Sequence, residues 1–287
     1  MNHALALLAL HAAVLLFGFA GLFGKWLALS PLLIVFARTT VAAAVLGLVR
    51  WATPGRRPPF ELPLLANGAV LALHWVSFFA AIQVSDVATG LLGYASFPLF
   101  TLLLERPPGS ASWRWRDRAT ALLVVVGLVL MVPEFTLANR TVAGLLWGIV
   151  SGFTFALLAV INRRHAAHRP AADIAFWQNL CAALTLLPVT FIASGVLRST
   201  DAVGGREIAL LLALGLVCTA LAHTLFIASL KAITARTASV VVALEPVYGI
   251  ALAFVLLGER PGARVYAGGA LIVVSALVAT GRRAATR

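Results

Sequence analysis

Phe78 to Pro98 reads FFAAIQVSDVATGLLGYASFP, and Phe226 to Pro246, 148 residues later, reads FIASLKAITARTASVVVALEP. Each stretch has an aromatic start, a helix end, a tight polar turn, a new helix and then a proline. Pro31 and Pro170, 139 residues apart, each open a helix, which pairs the second apolar segment with the seventh. Identities are few, and Ala/Leu/Val-rich text produces chance matches, so the spacing carries the reading. With five helices per half, the second copy enters a membrane from the opposite side. That is an inverted-topology repeat, a recurring architecture of secondary transporters that places a site at the midplane between the halves.

The membrane premise comes from composition. Of 287 residues, 61% are hydrophobic and only 11% charged, with a mean hydropathy of +0.99. A soluble domain carries about 25% charged residues, so an ordinary soluble enzyme is excluded. Apolar segments of bilayer-crossing length fall at about 4–28, 31–50, 62–83, 87–104, 119–133, 142–162, 174–197, 207–230, 237–257 and 265–281. The first is too long for the apolar region of a signal peptide and lacks a basic start and a cleavage site, so it is read as a span. The connections are short and rich in Pro and Gly. The expected fold is an all-α membrane protein of ten transmembrane helices in two inverted five-helix repeats. It forms one domain over 1–287, with repeat one at about 1–136 and repeat two at about 137–287.

The chain carries 22 Lys and Arg against 10 Asp and Glu, a net charge of +12. Nucleic-acid binding needs a solvated basic face, whereas these charges form short clusters between apolar runs. Cytoplasmic loops of membrane proteins collect Lys and Arg instead. With the N-terminus in the cytoplasm, fifteen of the 22 basic residues fall on that side, six fall on the other, and Arg38 lies within a span. This asymmetry predicts an inner-membrane protein with an even number of spans and both termini cytoplasmic. Cys181 and Cys218 lie in apolar runs and read as packing residues. No disulfide framework or metal site is available to them. No cofactor, metal or nucleic-acid partner is expected, and the oligomeric state is left open, a monomer included.

Several short motifs, in order, resemble the EamA-type branch of the drug/metabolite transporter superfamily. Phe17-Gly18 is similar to that family's Trp-Gly, and Pro31 followed by Arg38 to its Pro…Arg pattern. Tyr94…Pro98, Glu245-Pro246-Val247 and Leu257-Gly258-Glu259 complete the series. Phe17 departs from the usual Trp. The fourth helix runs only seven residues from Pro98 to Glu105, against thirteen from Pro246 to Glu259. Through His74 with Tyr94 the chain most resembles the aromatic amino-acid exporters of that superfamily.

An intramembrane charge costs about 2.5–3.5 kcal/mol on insertion scales, so it faces protein or water. Glu245 is a candidate for a solute amine or a proton, and Arg38 for a carboxylate or a gate contact. The alternative for both is helix packing, with Glu245 satisfying backbone groups near Pro246. His74 and His223 lie near matching positions of the halves, where a neutral imidazole both donates and accepts a hydrogen bond. Tyr94, Phe155, Phe78, Phe226, Trp177 and Tyr248 are candidates for stacking on a flat apolar solute; lipid contact is their alternative. Pro98 and Pro246 are candidate kinks that let helix ends bend as gates.

No metalloprotease, nucleophile-elbow or ATP-binding motif occurs. The expectation is a secondary, non-ATP transporter and not an enzyme. It exports small amphipathic solutes by alternating access through a central cavity, with aromatic or other neutral amino acids implied by the resemblance. The alternatives are export of other metabolites or organic cations, or a membrane-embedded enzyme.

Overall fold

The computed structural model describes residues 2–53, 60–104, 115–132, 136, 139–166, 169–196, 203–233, 238 and 241–280. Within these the secondary structure is helical throughout. The elements are α1 (His3–Trp26), α2 (Pro31–Ala52), α3 (Pro63–Val84), α4 (Val87–Tyr94), α5 (Phe97–Leu104), α6 (Trp115–Met131) and α7 (Arg140–Ala166). They continue with α8 (Ala171–Val196), α9 (Gly205–Gly215), a π-helical stretch at Leu216–Leu221, α10 (Ala222–Ser229), α11 (Glu245–Leu257) and α12 (Ala263–Thr280).

Local chemistry sets the helix ends. Asn2 caps α1 by accepting from Leu5 N, and Ser30 caps α2 by accepting from Leu33 N, with Pro31 in the first turn. Such caps satisfy amides that have no intrahelical partner. Asp86 caps α4 through Thr89 N at 2.7 Å, so the polar turn at residues 85–86 reverses the chain between α3 and α4. Gly258 ends α11 with φ +68°, a left-handed conformation that favours glycine.

Seven of the described helical rods are long and apolar enough to cross a membrane: His3–Trp26, Pro31–Ala52, Pro63–Val84, Val87–Leu104, Arg140–Asn162, Ala171–Ile192 and Gly205–Ser229. The other three expected spans fall on shorter helices, α6, α11 and α12. Their outer faces are apolar: Leu122 of α6 and Val255 of α11 are 64% and 74% exposed. A contiguous apolar exterior of this kind suits lipid contact.

The α3 helix packs on α7 and α8, while the α9–α10 rod packs on α1 and α2; α4 lies on α7, and α11 lies on α1. The α2 helix faces α8, and α6 faces α12. Glycine allows the tightest crossings. A methyl group on Gly18 of α1 would stand 2.9 Å from Gly249 N of α11, and one on Gly148 of α7 would stand 2.8 Å from Gly93 Cα of α4. These approaches bring the start of α11 and the end of α4 to the middle of the bundle.

Pro98 and Pro246 differ from the expectation of a kink. The chain breaks just before each, at residues 95–96 and 243–244, and a new helix begins at Phe97 or Glu245. Both prolines therefore sit in a first turn, where the missing N–H costs no intrahelical bond. The span 87–104 is thus two half-helices. Glu105, invoked for its ending, lies outside the described residues, as do Arg56, Arg57, Arg106, Arg114, Arg198 and Arg236 among the basic residues counted between spans.

Candidate solute-binding site

Six helices, α2, α3, α4, α7, α10 and α11, place charged or polar groups around one central cavity. It is lined by Phe17, Ala20, Arg38, Leu71, His74, Trp75, Phe78, Tyr94, Phe155, Leu158, Ala159, Asn162, His223, Phe226 and Glu245. Eight of the ten expected binding residues are among these. Trp177 and Tyr248 are not. Trp177 packs against Phe60 with tilted rings whose centroids are 4.9 Å apart, towards the end of the bundle that holds Arg50. The Tyr248 hydroxyl approaches His11 Nδ1 at 3.4 Å along the α1–α11 seam. Both residues lie on the expected helices but on faces that turn away from the cavity.

Arg38 is 1% exposed. Its Nε donates to Thr219 Oγ1 at 2.9 Å and its Nη2 to the Cys218 carbonyl at 3.3 Å. The π-helical stretch makes this grip. It shifts the backbone bonding so that Thr219 Oγ1 donates to the Leu214 carbonyl at 2.7 Å while accepting from Arg38. Single π-helical turns recur at functional sites for this reason. The guanidinium lies 4.0 Å from the Trp75 ring centroid, a cation–π contact that offsets part of its desolvation. Nη1 makes no hydrogen bond among the described residues.

Glu245 stands across the same cavity in the first turn of α11. A carboxylate there is favoured by the helix dipole. Its Oε2 accepts from the Tyr94 hydroxyl at 3.0 Å, which ties the break in one half to the break in the other. It does not serve the backbone near Pro246, and its Oε1 makes no hydrogen bond among the described residues. Arg38 and Glu245 line one cavity without forming an ion pair.

The two imidazoles are held by one nitrogen each. His74 Nδ1 lies 3.0 Å from both the carbonyl and the hydroxyl of Ser151. His223 Nδ1 lies 3.5 Å from Asn179 Nδ2. Each Nε2 is uncommitted among the described residues. The aromatic wall is continuous: His74 to Phe155 is 5.5 Å between centroids, Tyr94 to Phe155 is 5.2 Å and Phe155 to Phe226 is 6.1 Å. The site therefore has a guanidinium group, a carboxyl group, two imidazoles and aromatic walls. Arg38, Glu245, His74 and His223 are each held by part of the side chain and leave one polar atom without a hydrogen bond among the described residues. Pockets that hold small molecules combine apolar walls with a few placed polar groups in this way.

The cavity itself measures about 40 Å³, room for about three water molecules. Drug-sized ligands occupy roughly 300–1,000 Å³, so this conformation is contracted around its polar groups. Among the described residues no group of three His, Cys, Asp or Glu could hold a metal ion.

Sequence reasoning missed Trp75, Thr219, Ser151 and Asn162. One signal for Trp75 was present: it occupies the position of His223 under the 148-residue shift. The structure brings these two rings into edge contact at 5.7 Å.

Comparison with known proteins gives three kinds of likeness. Residues 142–281 match the EamA-like transporter family. An uncharacterized transporter, YxxF, of Bacillus subtilis (strain 168) is 23% identical over 271 residues, covering 89% of this chain and 83% of that protein. An uncharacterized transporter of Archaeoglobus fulgidus is 25% identical over 203 residues, covering 71% and 70%. The pseudopaline exporter CntI of Pseudomonas aeruginosa is 27% identical over 226 residues, covering 75% and 73%. A solved crystal structure superposes with a TM-score of 0.66 at 23% identity, covering 97% of each chain, which establishes a shared fold. The chain is thus similar to proteins named as transporters.

Proposed function

We propose that this chain is a member of the EamA-like transporter family and a secondary transporter that exports small zwitterionic solutes, aromatic or other neutral amino acids foremost. The observation that carries this reading is the cavity at two helix breaks. Arg38 supplies a donor for a carboxylate, Glu245 an acceptor for an ammonium group, and His74, Tyr94, Phe155 and Phe226 a wall for a flat side chain. Discontinuous spans whose half-helix ends face the solute are a recurring transporter device.

The architecture we propose is ten spans in two inverted repeats, set in the inner membrane with both termini cytoplasmic. The exchange of packing partners supports it. The third span of each half meets the first and second spans of the other half, and the fourth meets the first. Alternating access follows if the bundle opens to each side in turn around a cavity that closes between them. Solute must favour the switching conformation, since equal binding to every state shifts nothing. Nothing in this cycle requires catalysis.

Counterflow in liposomes tests the proposal. Labelled phenylalanine or tryptophan should accumulate saturably against an unlabelled internal pool, with aliphatic amino acids weaker and organic cations inert. Inert amino acids with active cations would move the reading to a drug exporter anchored on Glu245. Pseudopaline belongs in the same panel, given the relative that bears its name. No counterflow with any of these would remove the transporter reading.

A further inference from the structure

A second polar assembly lies outside the cavity. Arg169, just before α8, donates Nη1 to Asp173 Oδ2 and Nη2 to Glu61 Oε1, each at 2.7 Å. Asp173 also pairs with Arg50 near the end of α2. The cluster thus ties α2, the entry to α3 and the start of α8 together. The side chains of Arg169 and Asp173 are only 3% and 4% exposed, and Trp177 with Phe60 packs beside Arg50.

Further inside the same helices, Asn67 Nδ2 and Gln178 Nε2 both donate to Asn162 Oδ1, at 3.2 and 2.6 Å. Asn67 Oδ1 and Gln178 Oε1 are buried without a donor, and Asn162 lines the cavity. An uncharged polar track therefore runs from the charge cluster to the cavity between α3, α7 and α8. Buried acceptors of this kind call for a donor, which water or a passing ammonium group supplies.

The opposite end of the bundle is built differently. There Lys25 Nζ donates to the Ser85 carbonyl at 2.8 Å, Arg140 Nε to the Val84 carbonyl at 2.7 Å, and Glu259 Oε2 accepts from Val87 N at 3.0 Å. Under the 139-residue shift that pairs Pro31 with Pro170, Ser30 and the fully buried Ile34 take the places of Arg169 and Asp173. Only one half carries the cluster at this position.

Attraction and desolvation nearly cancel in a buried ion pair. Its charges recover hydration when it opens, whereas an apolar seal loses its burial. Resting on the transporter reading above, we propose that the bundle end bearing Arg50, Glu61, Arg169 and Asp173 is a charge-locked gate, and that solute reaches the cavity from it along the Asn67–Asn162–Gln178 track. This is the end that the charge distribution assigns to the cytoplasm.

The chain contains its own reporter. Cys181 is buried on α8 against Gly68 of α3, eight residues and about 12 Å along the helix from Asp173. Opening the α3–α8 seam exposes it. The experiment uses the full chain purified in detergent with Cys218→Ala, so that Cys181 is the sole thiol, and follows maleimide labelling by mass spectrometry. Asp173→Asn should raise the labelling rate roughly tenfold or more, as expected for a loosened local opening equilibrium. Glu61→Gln, at the more exposed edge, should raise it less, and Lys25→Gln should leave it unchanged. Inverting all four charges (Arg50→Glu, Glu61→Arg, Arg169→Glu, Asp173→Arg) should restore protection.

Parent-like labelling in both Asp173→Asn and Glu61→Gln, measured on the monodisperse fraction, would overturn the gate. So would equal acceleration by Lys25→Gln. Saturable counterflow with no labelling response retains the transporter and rejects the gate. The expected labelling pattern without any counterflow retains the opening and rejects the transporter.

Discussion

Tyr94 and Glu245 show how single residues link the halves of this molecule. The Tyr94 hydroxyl is the only hydrogen-bond donor to the Glu245 carboxyl among the described residues. Leaving a buried polar group without its partner costs about 1–3 kcal/mol. Tyr94→Phe should therefore lower the thermal stability of the purified protein by that order and weaken solute binding; an unchanged melting curve would mean that the bond is idle. Arg38 offers a second test. Its planar fork reaches Thr219 and the Cys218 carbonyl together, which a lysine ammonium does not reproduce. Arg38→Lys should preserve insertion yet reduce counterflow at least tenfold, and wild-type flux in that variant would remove Arg38 from recognition. Substituting His74 by Ala at constant expression should likewise reduce flux.

At the scale of elements, the half-helices decide behaviour. Pro98 and Pro246 occupy first-turn positions, so alanine there leaves the existing hydrogen bonds intact. The stability change should stay within about 1 kcal/mol, while the break becomes free to close into a continuous helix and the exchange between states slows. Pro246→Ala is accordingly expected to separate the two measurements, with normal melting and reduced counterflow. Reduced melting with normal flux would make the proline a packing residue only. The crossing of α4 and α7 behaves oppositely. Gly148→Val would push a side chain into the Gly93 backbone, and overpacking of this kind costs about 1–3 kcal/mol. Lower thermal stability, read by melting in detergent, is the expected result.

For the whole molecule, the basic residues predict orientation. Reporter domains fused to each terminus should both report the cytoplasm. Reporters on opposite sides would require an odd number of spans and would end the inverted-repeat reading. The contracted cavity makes a second whole-molecule statement. On the proposal made above, a cavity of about 40 Å³ widens when solute binds, and the α3–α8 seam is the place to look for that opening.

Helix positions, the polar turn at residues 85–86 and the paired prolines were legible in the sequence because length, apolarity and turn chemistry are local properties. The unusual residues were legible for the same reason: a charge costs energy wherever a bilayer span carries it, so Arg38 and Glu245 announced themselves. Tertiary structure alone decided which faces meet. Trp177 and Tyr248 sit on the expected helices but turn away from the cavity, since rotation about a helix axis is set by its neighbours when every face is apolar. Trp75 and Thr219 meet Arg38 only because α2, α3 and the π-helical stretch cross there. The chain by itself determined that charge must be buried; the packing of helices from both halves determined what each buried charge faces.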